Sequence, residues 1–345
     1  MKYQRLVCPE HNVIRLVDYE LPASLAPDQI LVRNTHGAEK HGTMEAFVRK
    51  FGNSRGAWDK RRLMHTPGEG VGWAYPIPLG NMQVGFVEKT GTAVSRYRAG
   101  DRLVFFRGFE PFSVISEGEG WSIGSETCWK SATLLDPASF ALAALRDSHT
   151  RIGDALAIFG LGAIGLTAVA LARMSGCHPI IAIDPVEKRR KIAATLGADV
   201  VLDPAGVDVG AKLRELTGWR GVDVVIEYSG SVPALNAALR GVALGGTVAC
   251  GAFPAPYGPG LDFGGEAHMN RPNLVFTRTE TDPGRDHPRW DNPRVRDTVL
   301  RLILEGKLDG ESIVDPVIPF SGEFVADYER TMADPHHAVK MGVRY

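Results

Sequence analysis

Three glycines and one distant carboxylate are the residues of this sequence whose spacing most directly suggests chemistry. The run Gly160-Leu161-Gly162-Ala163-Ile164-Gly165 follows an apolar strand-like segment and opens a helix-like one, and Asp184 stands nineteen residues beyond the last glycine. A pyrophosphate group needs close backbone approach, N–H donors and a helix N-terminus, and this turn supplies all three. An acid after the second strand accepts hydrogen bonds from ribose hydroxyls and repels a 2′-phosphate. The pattern therefore predicts a dinucleotide site that prefers NAD to NADP.

Two alternatives stay open for this motif. The carboxylate of Asp184 is also suited to capping the helix that follows it. The basic run Lys188-Arg189-Arg190 lies close to it in sequence and would reduce the repulsion of a 2′-phosphate.

Length and composition favour a globular protein of two domains. The chain has 345 residues, of which 44% are hydrophobic and 23% are charged. Its 39 basic and 40 acidic residues almost cancel, so no strong field is expected to gather nucleic acid or anionic lipid. A small-molecule substrate is the expected partner, with no nucleic acid and no membrane.

Cysteine usage and the N-terminus favour a cytoplasmic protein. The four cysteines are widely spaced: Cys8, Cys128, Cys177 and Cys250. The chain contains no Cys-x-x-Cys pair, and its first residues lack the pattern of a secretory signal.

Residues 155–172 carry no charge and approach the length of a membrane span. Because the three glycines fall inside this stretch, we interpret it as a buried strand, a turn and a buried helix.

The order of the elements predicts an α/β fold with two parts. Up to about residue 118 the pattern is short, β-rich and divided by turn residues, which indicates an antiparallel barrel-like unit. Beyond about residue 147 strands and helices alternate, which indicates a doubly wound parallel sheet. The expected strands of this sheet are 155–159, 180–184, 200–202, 222–227 and 247–250.

In these features the sequence resembles the medium-chain dehydrogenase/reductase superfamily, the zinc-type alcohol dehydrogenase-like proteins. The resemblance covers nearly the whole chain and depends on the central position of the glycine motif. It implies a Rossmann domain, residues 147–286, inserted in a GroES-like β-barrel catalytic domain, residues 1–146 and 287–345, with the active-site cleft between them. Four further motifs carry it: Gly100-Asp101-Arg102, Leu196-Gly197-Ala198-Asp199, the segment 221–227 and Gly245-Gly246-Thr247-Val248.

The resemblance also implies further cofactor contacts and an assembly. Arg189 falls where the family often stacks a side chain on adenine. Ser229, Gly251 and Phe253 fall on loops that usually face the nicotinamide half. A homodimer or homotetramer is implied.

The zinc ligands of the family are not present in their usual form. Zinc members carry a Cys-Gly-Thr-Asp motif, a Gly-His-Glu motif and an acidic third ligand before the Rossmann domain. The matching segments here are His41-Gly42-Thr43-Met44, Gly80-Asn81-Met82 and Asp136-Pro137. Asparagine is a poor zinc ligand, and His41 with Asp136 would leave the ion underbound unless Glu45 or a water completed the site. We therefore expect no metal.

Without a Lewis acid, other groups must handle the alcohol proton. His41 is the leading general acid/base, because the intrinsic pKa of a histidine side chain lies near neutrality, with Asp136 to orient it. Thr43 matches the hydroxyl residue that relays protons in zinc relatives. Lys40 and Asn81 complete the candidate set. A turn histidine is the alternative for His41. For Lys40 and for Glu39 a solvated loop charge is the favoured interpretation.

The resulting hypothesis is a zinc-independent, NAD-dependent oxidoreductase that interconverts a secondary alcohol and a ketone. Polar residues around the expected site suit a sugar, a polyol or a related hydroxy compound. The first alternative is a zinc-free NAD(P)H-dependent enone or quinone reductase, which needs no metal on oxygen. The second is a catalytically inactive NAD-binding protein.

Overall fold

A computed structural model describes residues 2–49, 55–66, 75–279, 288–334 and 336–345. Within these ranges the strands are β1 Lys2–Glu10, β2 Val13–Glu20, β3 Gln29–Ala38, β4 Ala57–Asp59, β5 Met64–Thr66, β6 Ile77–Pro78, β7 Met82–Thr90, β8 Arg102–Phe106, β9 Phe112–Ser116, β10 Gly120–Ser122, β11 Leu156–Phe159, β12 Ile180–Ile183, β13 Val200–Leu202, β14 Val222–Glu227, β15 Val242–Cys250, β16 Asn273–Phe276, β17 Val314–Pro319 and β18 Lys340–Arg344. The helices are α1 His41–Arg49, α2 Trp129–Ala132, α3 Leu135–Asp147, α4 Ala163–Met174, α5 Glu187–Thr195, α6 Val209–Leu216, α7 Val232–Gly241, α8 Glu266–Asn270, α9 Asn292–Leu304 and α10 Phe324–Ala333.

The chain divides into two compact units. The first contains residues 1–133 and 314–345, and the second contains residues 134–313. The domain limits implied by the family differ from these, because α3 belongs to the second unit here. The expected limit at 286/287 lies outside the described residues, and the domain assignment stays a prediction.

The second unit is built on a parallel sheet of six strands in the order β13-β12-β11-β14-β15-β16. Every residue of β11 and β12 is buried, which is typical of strands covered on both faces. Chain order reverses between β11 and β14, so the connections after these strands diverge and leave a crevice at their carboxyl ends. The doubly wound α/β fold predicted from the sequence is confirmed.

The first unit is mainly antiparallel, as the GroES-like prediction requires. One sheet has the order β10-β8-β7-β3-β18-β17, with β9 also paired to β3, and a second sheet has the order β2-β1-β6. The C-terminal strand β18 pairs with the end of β3, where Gly342 lies opposite Ala38. The last residues of the chain therefore hold the end of β3 in place.

One element boundary differs from the sequence-based expectation. Strand β15 begins at Val242, five residues before the expected start at Thr247. The apolar residues Val242, Ala243 and Leu244 lie before the two glycines at 245 and 246, which the sequence pattern treated as the end of a turn.

None of the helices in the described ranges has the length and apolar composition needed to cross a bilayer. The uncharged stretch at 155–172 is divided between β11, the glycine turn and α4, as expected from its glycines.

The buried position of Ile181 in β12 leads to a stability prediction. Ile181 is 0% exposed and pairs with Ala157 and Val200 on the flanking strands. Ile181→Ala is expected to lower the free energy of unfolding by about 2–5 kcal/mol, because it leaves a cavity in a close-packed core. Denaturant titration followed by circular dichroism measures the loss. Val201→Ala, at a residue of β13 that is 37% exposed, is the control and should cost much less.

Candidate active site

The glycine turn between β11 and α4 has a distinct reason for each glycine. Gly160 has a φ of 84°, and a Cβ there would lie 2.6 Å from the backbone nitrogen of Ser229. A Cβ on Gly165 would overlap the carbonyl oxygen of Gly160. Gly162 is the N-cap of α4, and a Cβ there would meet no heavy atom within 4 Å. Two glycines thus allow close packing, and the third leaves open space in front of the helix N-terminus.

Asp184, directly after β12, is held against this turn. It is 3% exposed, and its Oδ2 accepts a hydrogen bond of 2.7 Å from the Leu161 N–H. Its Oδ1 accepts one of 2.8 Å from the Val186 N–H at the start of α5. Asp184 therefore does not cap α5, whose N-cap is Val186 without a side-chain cap hydrogen bond. Its carboxylate closes the turn before α5 and fixes the glycine turn.

Two arginines of α5 lie close to Asp184. Nη1 of Arg189 is 3.8 Å from its Oδ2, and Nη1 of Arg190 donates to its carbonyl oxygen at 2.7 Å. Arg190 also forms an ion pair of 2.9 Å with Asp203 after β13. The positive charges offset part of the negative charge of Asp184, as the sequence suggested.

A second buried carboxylate, Glu227, lies at the end of β14 and was not among the expected site residues. It is 0% exposed, and its Oε1 accepts hydrogen bonds from the Ser229 N–H at 2.6 Å, from the Ser229 hydroxyl and from the Gly230 N–H at 3.0 Å. Burial raises the pKa of Glu227, and these hydrogen bonds oppose the shift. An acid ending an apolar strand and followed by Ser-Gly is the signal that could have found it.

The next loop completes this side of the site. Ser229 is exposed and Phe253 is 45% exposed, so both side chains are open to a ligand. A Cβ on Gly251 would overlap the ring of Tyr228, whose hydroxyl donates to the Phe140 carbonyl at 3.0 Å. Gly251 is therefore required where the ring crosses the backbone. The roles of these residues toward the nicotinamide half stay predictions.

In the first unit, His41 is the first residue of helix α1 and is half-buried, as are Lys40 and Thr43. His41 therefore starts a helix and does not lie in an isolated turn. Asn81 immediately precedes β7, is half-buried, and its Nδ2 has no hydrogen-bond partner among the described residues. That buried amide is a donor available to an oxygen of a ligand.

Glu39 corrects the expectation of a solvated loop charge. It is 0% exposed, and its Oε2 accepts a hydrogen bond of 2.7 Å from the Tyr328 hydroxyl. Its Oε1 accepts one of 2.7 Å from the Lys40 N–H. Burial raises the pKa of the Glu39 carboxyl, while these hydrogen bonds and the charge of Lys340 lower it. The sequence-based interpretation was wrong because α10 and β18, from the far end of the chain, cover this position.

Asp136 lies in the second unit, in the first turn of α3, and is 3% exposed. Its expected role in orienting His41 stays a prediction.

The residues at the family's metal positions do not fit a zinc ion. An amide occupies the place of a histidine, and no thiolate accompanies His41. Across the residues that the structure describes, no three His, Cys, Asp or Glu side chains come close enough to hold a metal.

The residues at the glycine turn do fit a dinucleotide. Gly162 leaves open space before the N-terminus of α4, where backbone N–H groups and the helix dipole favour a pyrophosphate. Asp184 and Glu227 flank the turn from the two neighbouring strands, β12 and β14.

Glu227→Ala provides a test of this arrangement. Removing the carboxylate takes away the acceptor for three donors of the Ser229–Gly230 turn. Because this turn is then less firmly held, we expect NADH to bind about tenfold more weakly. Fluorescence titration of the purified protein measures the affinity. Glu215→Ala, which removes a surface carboxylate of the same unit, should leave it unchanged. An equal affinity for both variants would contradict the assigned role of Glu227.

Comparison with known proteins agrees with this geometry. Residues 163–279 match the family model described as zinc-binding dehydrogenase. The chain is 36% identical over 355 aligned positions to the D-guloside 3-dehydrogenase of Escherichia coli (strain K12), with 99% of this chain and 100% of that protein covered.

Two solved structures show the same fold. A zinc-binding dehydrogenase from Sinorhizobium meliloti 1021, bound to NADP, superposes with a TM-score of 0.79 at 18% identity, with full coverage of both chains. An alcohol dehydrogenase from E. coli CFT073, complexed with NADH, superposes with a TM-score of 0.77 at 15% identity, covering 100% of this chain and 99% of that one. Since the glycine turn, the two-part fold and a full-length relative all agree, the chain belongs to the medium-chain dehydrogenase/reductase superfamily of zinc-type alcohol dehydrogenase-like proteins and is a dehydrogenase.

Proposed function

We propose that this protein is a zinc-independent, NAD-dependent dehydrogenase that oxidises a secondary ring hydroxyl of a glycoside to a ketone, and catalyses the reverse reaction. The observation that carries the proposal is a complete dinucleotide cradle, with Asp184 buried against it, in a chain that aligns from end to end with a D-guloside 3-dehydrogenase.

Asp184 supports NAD as the cofactor. Its carboxylate lies where the second strand ends, and a 2′-phosphate brought there would meet a negative charge in a buried setting. Arg189 reduces this repulsion but does not remove it. Its guanidinium is 3.8 Å from the Asp184 carboxylate, and it would have to move away from that carboxylate to pair with a 2′-phosphate. NAD bound at Gly160–Gly165 and Ser229 would accept a hydride from the carbon that bears the hydroxyl.

The relative supports a sugar derivative as the substrate. Its name specifies oxidation at position 3 of a guloside, and its similarity extends over both units of this chain. Polar side chains at the N-terminus of α1 and before β7 suit a ligand with several hydroxyl groups. We therefore infer a hexopyranoside, oxidised at C3.

The chemistry assigned to the protein is proton transfer and polarisation. As the C–H bond breaks, the imidazole of His41 takes the proton of the hydroxyl, and a C=O bond forms. The amide of Asn81 donates a hydrogen bond to the same oxygen and stabilises its developing negative charge. Thr43 relays the proton toward solvent, and Lys40 adds positive charge near the oxygen.

Location and assembly are part of the proposal. A cytoplasmic enzyme accords with four cysteines that are all free thiols in the structure. A homodimer or homotetramer is proposed from the family resemblance.

Turnover with a panel of substrates tests the proposal as a whole. Purified protein should reduce NAD with a 3-hydroxy pyranoside, with a kcat/KM for NAD at least about tenfold above that for NADP, a difference of about 1.4 kcal/mol. Metal analysis of the same sample should find no stoichiometric zinc. One zinc per chain, or reduction of enones by NADPH, would contradict this proposal. Tight NAD binding without turnover would indicate an inactive cofactor-binding protein.

Asp184→Ala should reduce the ratio of kcat/KM for NAD to kcat/KM for NADP.

His41→Ala tests the general base. Loss of the imidazole should lower kcat about 10²- to 10⁴-fold, because no other group is assigned to take the proton. The affinity for NADH should stay unchanged, since its cradle belongs to the second unit. His336→Ala, at an exposed histidine, is the matched control. Undiminished turnover by His41→Ala would refute the acid/base role.

A further inference from the structure

The surroundings of Glu39 assign this residue a task of its own. We propose that Glu39 is a positioning residue, whose buried carboxylate fixes the start of α1, beside His41, to helix α10, at a point where the backbone also binds the segment that carries Asn81. The inference rests on the proposed function, because it takes His41 and Asn81 as the reacting groups of the first unit.

The first contacts are with the segments themselves. Oε1 of Glu39 accepts the Lys40 N–H at 2.7 Å, one residue before His41 begins α1. The backbone next to Glu39 reaches the other segment, because the Asn81 N–H donates to the Ala38 carbonyl at 3.2 Å. Glu39 and its neighbour Ala38 thus lie where two segments about forty residues apart in sequence meet.

A second set of contacts fixes the carboxylate itself. The Tyr328 hydroxyl of α10 donates to Oε2 at 2.7 Å, and Tyr328 is 1% exposed. Lys340 of β18, 2% exposed, donates from Nζ to the Glu39 carbonyl oxygen at 2.6 Å. The Glu39 N–H donates to the Met341 carbonyl at 2.9 Å. The carboxylate therefore cannot turn away from the start of α1 without breaking its bond to Tyr328, and β18 holds the Glu39 backbone at both its N–H and its carbonyl.

The energetics favour a geometric role for this group. Burying a carboxyl costs free energy, which its hydrogen bonds offset only when their geometry is good. Apolar residues of similar volume would hold a core together at lower cost. What a carboxylate adds is directed bonding to several N–H and O–H donors at once, and here those donors belong to the start of α1, beside His41, and to α10.

The experiment compares Glu39→Ala with a matched buried carboxylate, Glu110→Ala. Glu110 lies in the same unit, is 6% exposed, and accepts a hydrogen bond from the Ser113 hydroxyl at 2.9 Å, so its removal is a similar loss to the core. For Glu39→Ala we expect kcat to fall about 100-fold, as for a small displacement of reacting groups, while the KM for NAD and the affinity for NADH stay unchanged. Glu110→Ala should lower thermal stability and leave kcat per folded molecule intact.

Two milder variants keep the test decisive if Glu39→Ala does not fold. Glu39→Gln retains the acceptor for the Lys40 N–H, and Tyr328→Phe removes only one donor, so each should lower kcat about tenfold. An unchanged kcat in both, or equal losses for the Glu39 and Glu110 variants, would overturn the proposal. If instead His41→Ala is fully active, the proposed function fails, whatever the Glu39 variants show.

Discussion

Hydrogen bonds from backbone N–H groups to buried carboxylates hold the cofactor unit in its shape. A parallel strand that ends inside a protein leaves N–H groups of the following turn without partners, and a buried donor without a partner costs about 1–3 kcal/mol. Asp184 satisfies the Leu161 and Val186 N–H groups, and Glu227 satisfies those of Ser229 and Gly230. The strands that lead to these acids, β12 and β14, lie on either side of β11. The glycine turn is therefore fixed from both sides.

This arrangement explains why the turn can stay open toward a ligand. Gly160 packs against the Ser229 backbone, and Gly165 packs against Gly160, so the turn is rigid where it meets the protein. Of the three glycines of this turn, only Gly162 has empty space beside its backbone. A rigid frame with one open position lets a pyrophosphate approach the helix N-terminus without a loss of conformational freedom on binding.

The same type of interaction recurs in the first unit, at Glu39, with different consequences. There the donors to the carboxylate come from the start of α1 and from the C-terminal helix α10. Hydrogen bonds can set the distance between two segments as a metal does, but they supply no Lewis acid. The stabilisation of charge on the substrate oxygen then depends on an imidazole and an amide, which is why His41 and Asn81 carry the proposed chemistry.

The sequence alone determined the features that depend on neighbours along the chain. The glycine spacing, the apolar strands and their alternation with helices predicted the Rossmann unit, its turn and Asp184, because these follow from local backbone and side-chain requirements. The motifs at His41, Asn81 and Asp136 indicated a departure from a zinc site through the family resemblance, because the family's ligand types are replaced there. Only the tertiary structure decided the burial of Glu39 and Glu227. A carboxylate in a loop and one in a core look alike in sequence. At Glu39 folding brings a distant donor, the Tyr328 hydroxyl, to the carboxylate, and at Glu227 it places strands β11 and β15 on either side.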